Sequence, residues 1–183
     1  ALRGRELVLG AEPHGAAAAH ATILIRVRVC TVGHSNLALG AFVTLLEAHG
    51  IQALVDVRAF PTSRRWPHFS GDRLAAAWAD YHWLGKELGG YRKSAREDSP
   101  HTTLEGMWRA YADHMETAEF RAGIARLLAL ARERPTAILC AERGWHDCHR
   151  RHVADHLVAI EGIDVLHVVD ASPPDPHRVA PRA

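Results

Sequence analysis

The sequence predicts an α/β domain of three layers, a mostly parallel sheet with helices on both faces. Short apolar runs rich in β-branched residues alternate along the chain with segments of helical periodicity. Several of the helical segments open on a capping residue, and two are followed by glycine, which separates them from the strands. Strands joined through helices pair in parallel, and a sheet of that kind is covered on both sides.

Each element follows from its residues. Ile23 to Val32 alternates and reads as the first strand. Ser35 or Asn36 can cap a helix that gathers Leu39, Phe42, Leu45 and Leu46 on one face, and Gly50 ends it. Ile51 to Val57 is an apolar run suited to a buried parallel strand. Arg58 to Phe69 contains Pro61 and Pro67 and reads as a loop, after which Ser70 caps a short helix through Trp78 and Tyr81 to Leu84 forms a third strand.

Gly85 to Thr103 turns polar and loses periodicity, so it reads as a long connection, either a plain linker or a mobile cover hinged at Gly89 and Gly90. Two helices follow, Leu104 to Met115 and Ala118 to Arg132, the second with Phe120, Ile124, Leu127 and Leu128 at helical spacing. Thr136 to Cys140 is the next buried strand. Asp147 caps a helix from Cys148 to Glu161, stopped by Gly162, and Ile163 to Val169 is the last strand.

A chain of 183 residues, 48% hydrophobic and 23% charged, suits one globular domain, placed over residues 22–170. Residues 1–21, rich in Ala, Gly and His, read as a flexible extension, and residues 171–183, with four of the nine prolines, as a tail. No apolar run approaches the roughly 20 residues of a membrane span, and charges interrupt the N-terminal segment where a secretory signal needs continuity. Three cysteines, an odd number, fit a reducing compartment, so a cytoplasmic location is expected. The net charge of +1 argues against a strongly polyanion-binding protein as a whole.

Open α/β sheets bind ligands beyond the carboxyl ends of their strands, and three segments leave strands there. They start at His34-Ser35, at Asp56-Val57-Arg58, and at Cys140-Ala141-Glu142. Arg58, Arg64, Arg65 and His68 gather in one loop and Arg143, His146, His149 and Arg150 around another, which suggests a small anionic ligand, phosphorylated or nucleotide-like, beside helix N-termini. The bland account is that these arginines are solvated surface groups. Cys140 ends a strand just before a loop and a helix, a place that lowers a thiol pKa and makes a nucleophile or redox centre. Equally, it fits as a small hydrophobe finishing a buried strand.

Glu142 can act as a general acid or base and His34 or His149 as a proton carrier, with Ser35, Asp56, Arg58, Arg64 and Arg150 holding substrate. Cys140, Cys148 and His152 form a candidate redox or metal set; a solvated basic helix face explains the same helical residues. Asp56 and Arg58 sit in an Asp-Val-Arg tripeptide also found after a strand in rhodanese-like sulfurtransferases, a partial likeness that a purely structural ion pair explains as well.

From about Thr31 to Val169 the sequence resembles the bacterial family called domain of unknown function 488. The likeness rests on Thr31-Val32-Gly33-His34-Ser35, Val55-Asp56-Val57-Arg58 with Pro61, Ser63-Arg64 and Pro67, Glu87-Leu88-Gly89-Gly90, Tyr111 with Met115, and Cys140-Ala141-Glu142 with Cys148-His149-Arg150. It implies an α/β fold and a pocket built from those motifs, and brings no activity with it. The expectation is a cysteine-dependent transferase or hydrolase. The alternatives are a nucleic-acid-binding module using Arg64-Arg65-Trp66 and Tyr91-Arg92-Lys93, and a metal-binding structural or sensor protein.

Overall fold

The computed structural model describes residues 27–179 and carries a six-stranded sheet in the order β3-β2-β4-β1-β5-β6. In chain order the elements are β1 (Arg28–Gly33), α1 (Leu39–Ala48), β2 (Ala53–Asp56), α2 (Gly71–Ala77), β3 (Tyr81–Trp83), α3 (Gly85–Leu88), α4 (Gly106–Met115), α5 (Ala118–Glu133), β4 (Thr136–Cys140), α6 (Arg150–Ala159), β5 (Asp164–Val168) and β6 (Asp175–Pro176). A turn of 3-10 helix, Pro67–Phe69, precedes α2. Strands β1 to β5 are parallel and β6 is antiparallel to β5, so the fold is α/β with a mostly parallel mixed sheet and, among the described residues, six α-helices.

The period-2 alternation of strand side chains divides the core into two. Val29, Val55, Ile138 and Val165 face α3 to α6, where they pack with Leu88, Tyr111, Phe120, Leu127 and Leu157. Val32, Leu54, Ala137, Leu139 and Val168 face the opposite way, onto Phe42, Leu45 and Leu46 of α1 and Leu74 of α2. Helices therefore cover both faces, and the central strands β2 and β4 are buried at every residue.

This order fixes the place for a ligand. The chain leaves β1 through α1 on one face and leaves β4 through α6 on the other, yet β1 and β4 are neighbours. Connections that part in this way open a crevice at the carboxyl ends of the two strands.

Several element boundaries differ from the sequence reading. The first strand is described from Arg28, and the part of the predicted strand before Val27, with the whole of the 1–21 extension, lies outside the described residues. Neither Ser35 nor Asn36 caps α1, whose N-cap is Ala38; Ser35 turns the chain with a left-handed φ of 50°. Asp147 does not cap α6, which starts after His149 because Trp145 to Cys148 close a turn of their own. In the segment read as a tail, Asp175–Pro176 pairs with β5 and His177 is buried; residues 180–183 lie outside the described set.

The polar stretch from Gly85 is not wholly without apolar anchors. Its first turns form α3, and Leu88 is fully buried between the sheet and α5. The Tyr111 hydroxyl donates to the Leu88 carbonyl at 2.9 Å, and Gly89 and Gly90 are buried. Only beyond Gly90 does the segment become largely exposed, so any covering motion starts from Tyr91. Leu88→Ala should lower stability by about 2–5 kcal/mol in urea unfolding, the cost of emptying a packed core position. A loss below about 1 kcal/mol would show that α3 is not anchored.

Candidate functional site

A cavity of about 290 Å³ occupies the crevice, with His34, Arg58, Cys140, Cys148 and His149 in its wall and Glu142 and Asp147 also lining it. Three backbone events bring these together. His34 N donates to the Cys140 carbonyl at 3.1 Å and Ser35 N to the Ala141 carbonyl at 2.8 Å, which extends the β1–β4 pairing past the strands. Gly33 makes this approach feasible, since a Cβ there would lie 1.8 Å from the Glu142 carbonyl oxygen. The loop after β4 then bends back and delivers Cys148 and His149 beneath Cys140.

His149 organises the floor. Its Nε2 lies 3.0 Å from the Val57 carbonyl, and because a carbonyl only accepts, Nε2 carries the hydrogen. Nδ1 points at both sulfurs, 3.6 Å from Cys148 Sγ and 3.8 Å from Cys140 Sγ. The ring lies under Gly90, where any Cβ would come within 2.6 Å of it. All three side chains are buried.

Arg150, also buried, lies behind the thiols. Its Nε donates to Cys148 Sγ at 3.4 Å, and its guanidinium holds the loop by donating to the carbonyls of Glu142 and Gly144. The two thiols share a hydrogen bond, and the surrounding donors decide which loses its proton first. Cys140 hydrogen-bonded to its sulfur, with His149 and Arg150 beside it, holds the Cys148 thiol well below the ordinary range despite its burial. Cys140 is pushed the other way, by that same bond to Cys148 and by burial. The two thiols are thereby driven apart, Cys148 toward the thiolate and Cys140 away from it.

The wall toward β2 is an ion-pair network. Arg58 donates through Nε to Asp56 Oδ1 at 2.9 Å and through Nη2 to Asp56 Oδ2 at 2.5 Å and the Phe69 carbonyl at 2.8 Å. Tyr81 donates to the same carboxylate at 2.8 Å. His34 lies against Arg58 Nη1, its Nε2 at 3.3 Å, while its Nδ1 donates to the Ser35 carbonyl at 2.9 Å. A ring with Nδ1 protonated and Nε2 receiving a guanidinium is neutral, and burial lowers its pKa to about 4. His34 is thus a hydrogen-bond acceptor at neutral pH and carries no exchangeable charge there.

The structure brings His34, Arg58, Cys140, Glu142, Cys148 and His149 to one cavity. Asp56 and Arg150 stand behind it as supports, buried and hydrogen-bonded. Ser35 lines a separate cavity of about 270 Å³ over α1, and Arg64 is exposed outside the crevice. His152 does not join the thiols; its ring packs against Trp108 and Tyr111, and His149, at the turn before α6, takes the place expected for it. The cations do not converge on a free anion site, because Arg58 is neutralised by Asp56 and Arg150 faces loop carbonyls and a thiol. Of the residues named for the nucleic-acid alternative, Trp66 packs on the α1-side core and Arg92 donates to the Lys86 and Tyr91 carbonyls, whereas the Tyr91 ring is exposed.

Sequence reasoning named Tyr91 in the segment over the pocket but missed the rest of the rim, Phe60 and Met107. Phe60 (64% exposed), Tyr91 (55%) and Met107 (46%) are large apolar side chains in solvent, and all three border this cavity. Their signal was an aromatic or methionine beside a motif residue, too weak to read in one dimension. Also missed was a buried relay behind the loop, Thr31 to His167 (2.8 Å), His167 to His177 (3.0 Å) and His177 to Asp155 (2.9 Å), with Trp145 stacked on His167 at 3.8 Å.

A mostly parallel sheet with a cysteine–histidine cluster in the crevice at its strand ends defines an α/β domain with a candidate Cys/His site. Residues 38–157, more than half of the chain, match the family described as Domain of unknown function DUF488, and the chain belongs to that family. No curated protein and no solved structure matches it. The matched span contains the Asp56–Arg58 and Cys140–His149 motifs; His34 and Ser35 precede it. Among the described residues, no helix is long and apolar enough to cross a membrane.

Burial holds His34 near a pKa of about 4 and His167 near about 3, both below the ordinary histidine value of about 6.5. The unfolded chain then takes up protons first as the pH falls, so stability is lost progressively below about pH 6.5 and down to about pH 3. The urea midpoint should fall across that range, and less steeply in His167→Gln. An identical slope in the variant would contradict the assignment of His167 as a buried neutral ring.

Proposed function

We propose that this protein is an enzyme, a cysteine-dependent transferase or hydrolase, whose reaction centre is the Cys140–Cys148–His149 cluster, with Cys148 as its charged thiolate. The observation that carries this reading is the single Nδ1 of His149 directed at two buried sulfurs that both open onto a cavity. A core cysteine needs no imidazole, no guanidinium and no cavity beside it. Thiolates stabilised by cations and hydrogen-bond donors are the reactive form of cysteine, and Cys148 has both partners while Cys140 supplies the neutral thiol.

The substrate reading shifts with the charges. An anionic ligand was expected from Arg58 and Arg150, and both guanidinium groups are engaged elsewhere. The cavity instead offers an apolar rim of Phe60, Tyr91 and Met107 and two carboxylate residues, Glu142 and Asp147. Phe60 and Tyr91 rings stand 5.6 Å apart at a tilt of 53°, open enough for reorientation around a flat group. That composition favours a small, flat substrate, neutral or cationic, with Glu142 placed to exchange a proton at the mouth.

Thiol reactivity separates this reading from a structural one. In chelator-washed protein at about pH 6, Cys148 should be alkylated at least ~10-fold faster than Cys30, whose thiol is raised by burial to about 11. Peptide mapping after timed labelling with a small iodoacetamide reads the order directly. Cys148 reacting no faster than Cys30 would remove the thiolate, and Cys140 reacting first would reverse the assignment.

A further inference from the structure

We propose that Cys140, Cys148 and His149 bind one zinc-class divalent ion, with a coordination position left open toward the crevice. The inference rests on the reading that this cluster is the reaction centre, and it names what occupies that centre. The two Sγ atoms and Nδ1 all lie within 4.8 Å of one another, and all three residues are buried.

The geometry is that of a tetrahedral face. Zinc bonds of about 2.3 Å to sulfur and about 2.0–2.1 Å to nitrogen put the S···N edge at about 3.5–3.6 Å. The two S···N distances are 3.6 Å and 3.8 Å, a few tenths of an ångström from an edge that needs no rearrangement of the chain. A thiol hydrogen bond would draw one sulfur close and leave the other out. Here one ring nitrogen stands at nearly equal distances from both.

The surroundings match those of a ligand set. The Val57 carbonyl holds Nε2–H and so fixes the tautomer with Nδ1 bare, the outer contact that metal-bound histidines generally make. Arg150 Nε donates to Cys148 Sγ, as a thiolate ligand requires. Two thiolates and an imidazole are soft donors, which suit zinc over magnesium or calcium. The other gathering of possible donors among the described residues, His101, Asp113 and Glu116, differs in kind, because the Arg96 guanidinium already pairs with both carboxylates.

Three protein ligands on the wall of a cavity leave a fourth position facing it, the arrangement of catalytic rather than structural zinc. Glu142 and Asp147 also line that cavity, the first able to serve a water at the open position as proton acceptor.

The test is a titration of the chelator-washed full chain with zinc, and with cobalt as a visible reporter of four-coordinate thiolate ligation. One ion per chain should bind, zinc should slow alkylation of Cys140 and Cys148 at least tenfold while Cys30 is unaffected, and Cys148→Ser and His149→Gln should each lose stoichiometric binding. Should either variant fail to fold by circular dichroism, the protection pattern in the unsubstituted chain decides. Absence of stoichiometric binding, or bound zinc with Cys140 and Cys148 labelled at unchanged rates, would overturn the proposal. Rapid labelling of Cys148 in the washed chain together with failure to bind added zinc would overturn it while leaving the thiol centre standing. Slow labelling of both thiols without an ion would remove both.

Discussion

A single hydrogen bond, from His149 Nε2 to the carbonyl of Val57, ties the start of α6 to the end of β2 and sets the direction of the imidazole. Val57 follows β2 and its side chain is buried in the core, so the acceptor is fixed to the sheet rather than to a loop. With Nε2 occupied, Nδ1 has one direction left, and it faces the two thiols. Gly90 closes over the ring and leaves no room for a side chain in its place. The reactive group is thereby held by rigid structure on two sides, the condition under which a site keeps its geometry.

The ion pair of Asp56 and Arg58 plays a different part from the one its charges suggest. Both side chains are buried, the guanidinium reaches the carboxylate, a carbonyl and His34, and Tyr81 takes the second carboxylate oxygen. A network in which every donor finds an acceptor stiffens the wall of the crevice without lending it net charge. One feature goes with that neutrality: buried His34 stays uncharged at neutral pH. The cavity is then apolar at its mouth and polar at its floor, the division usual in sites for small molecules.

Much of this was legible in the sequence because it depends on local patterns. Apolar runs such as Thr136 to Cys140 announce buried strands, and the Ala118 helix declares itself by Phe120, Ile124, Leu127 and Leu128. Strand-end loops of an α/β sheet are where sites form, so Cys140, Arg58 and His149 could be named before any geometry was known. What was not legible is direction. Sequence allows Arg58 either to pair with Asp56 or to hold a ligand, but does not show which, and the structure shows the pair. Helical spacing made His152 a plausible partner for Cys148, yet the helix begins only after His149, and the turn before it supplies the nearer nitrogen. The boundary of α6 thus decided which ring nitrogen stands beside the two sulfurs. Phe60, Tyr91 and Met107 meet only through tertiary structure, and no spacing rule relates them.

The central claim is that the sheet fixes the His149 tautomer and thereby aims one nitrogen at two sulfurs. Side-chain nitrogen NMR of selectively labelled histidine, with His149 assigned by His149→Gln, tests it most directly in the metal-free chain at neutral pH. A proton on Nε2 that exchanges slowly with solvent and couples to the Val57 carbonyl is the result expected. A His149 ring with Nε2 bare and the proton on Nδ1 would contradict the account, since the bond to Val57 would be lost and Nδ1 would have no free lone pair to offer a metal ion.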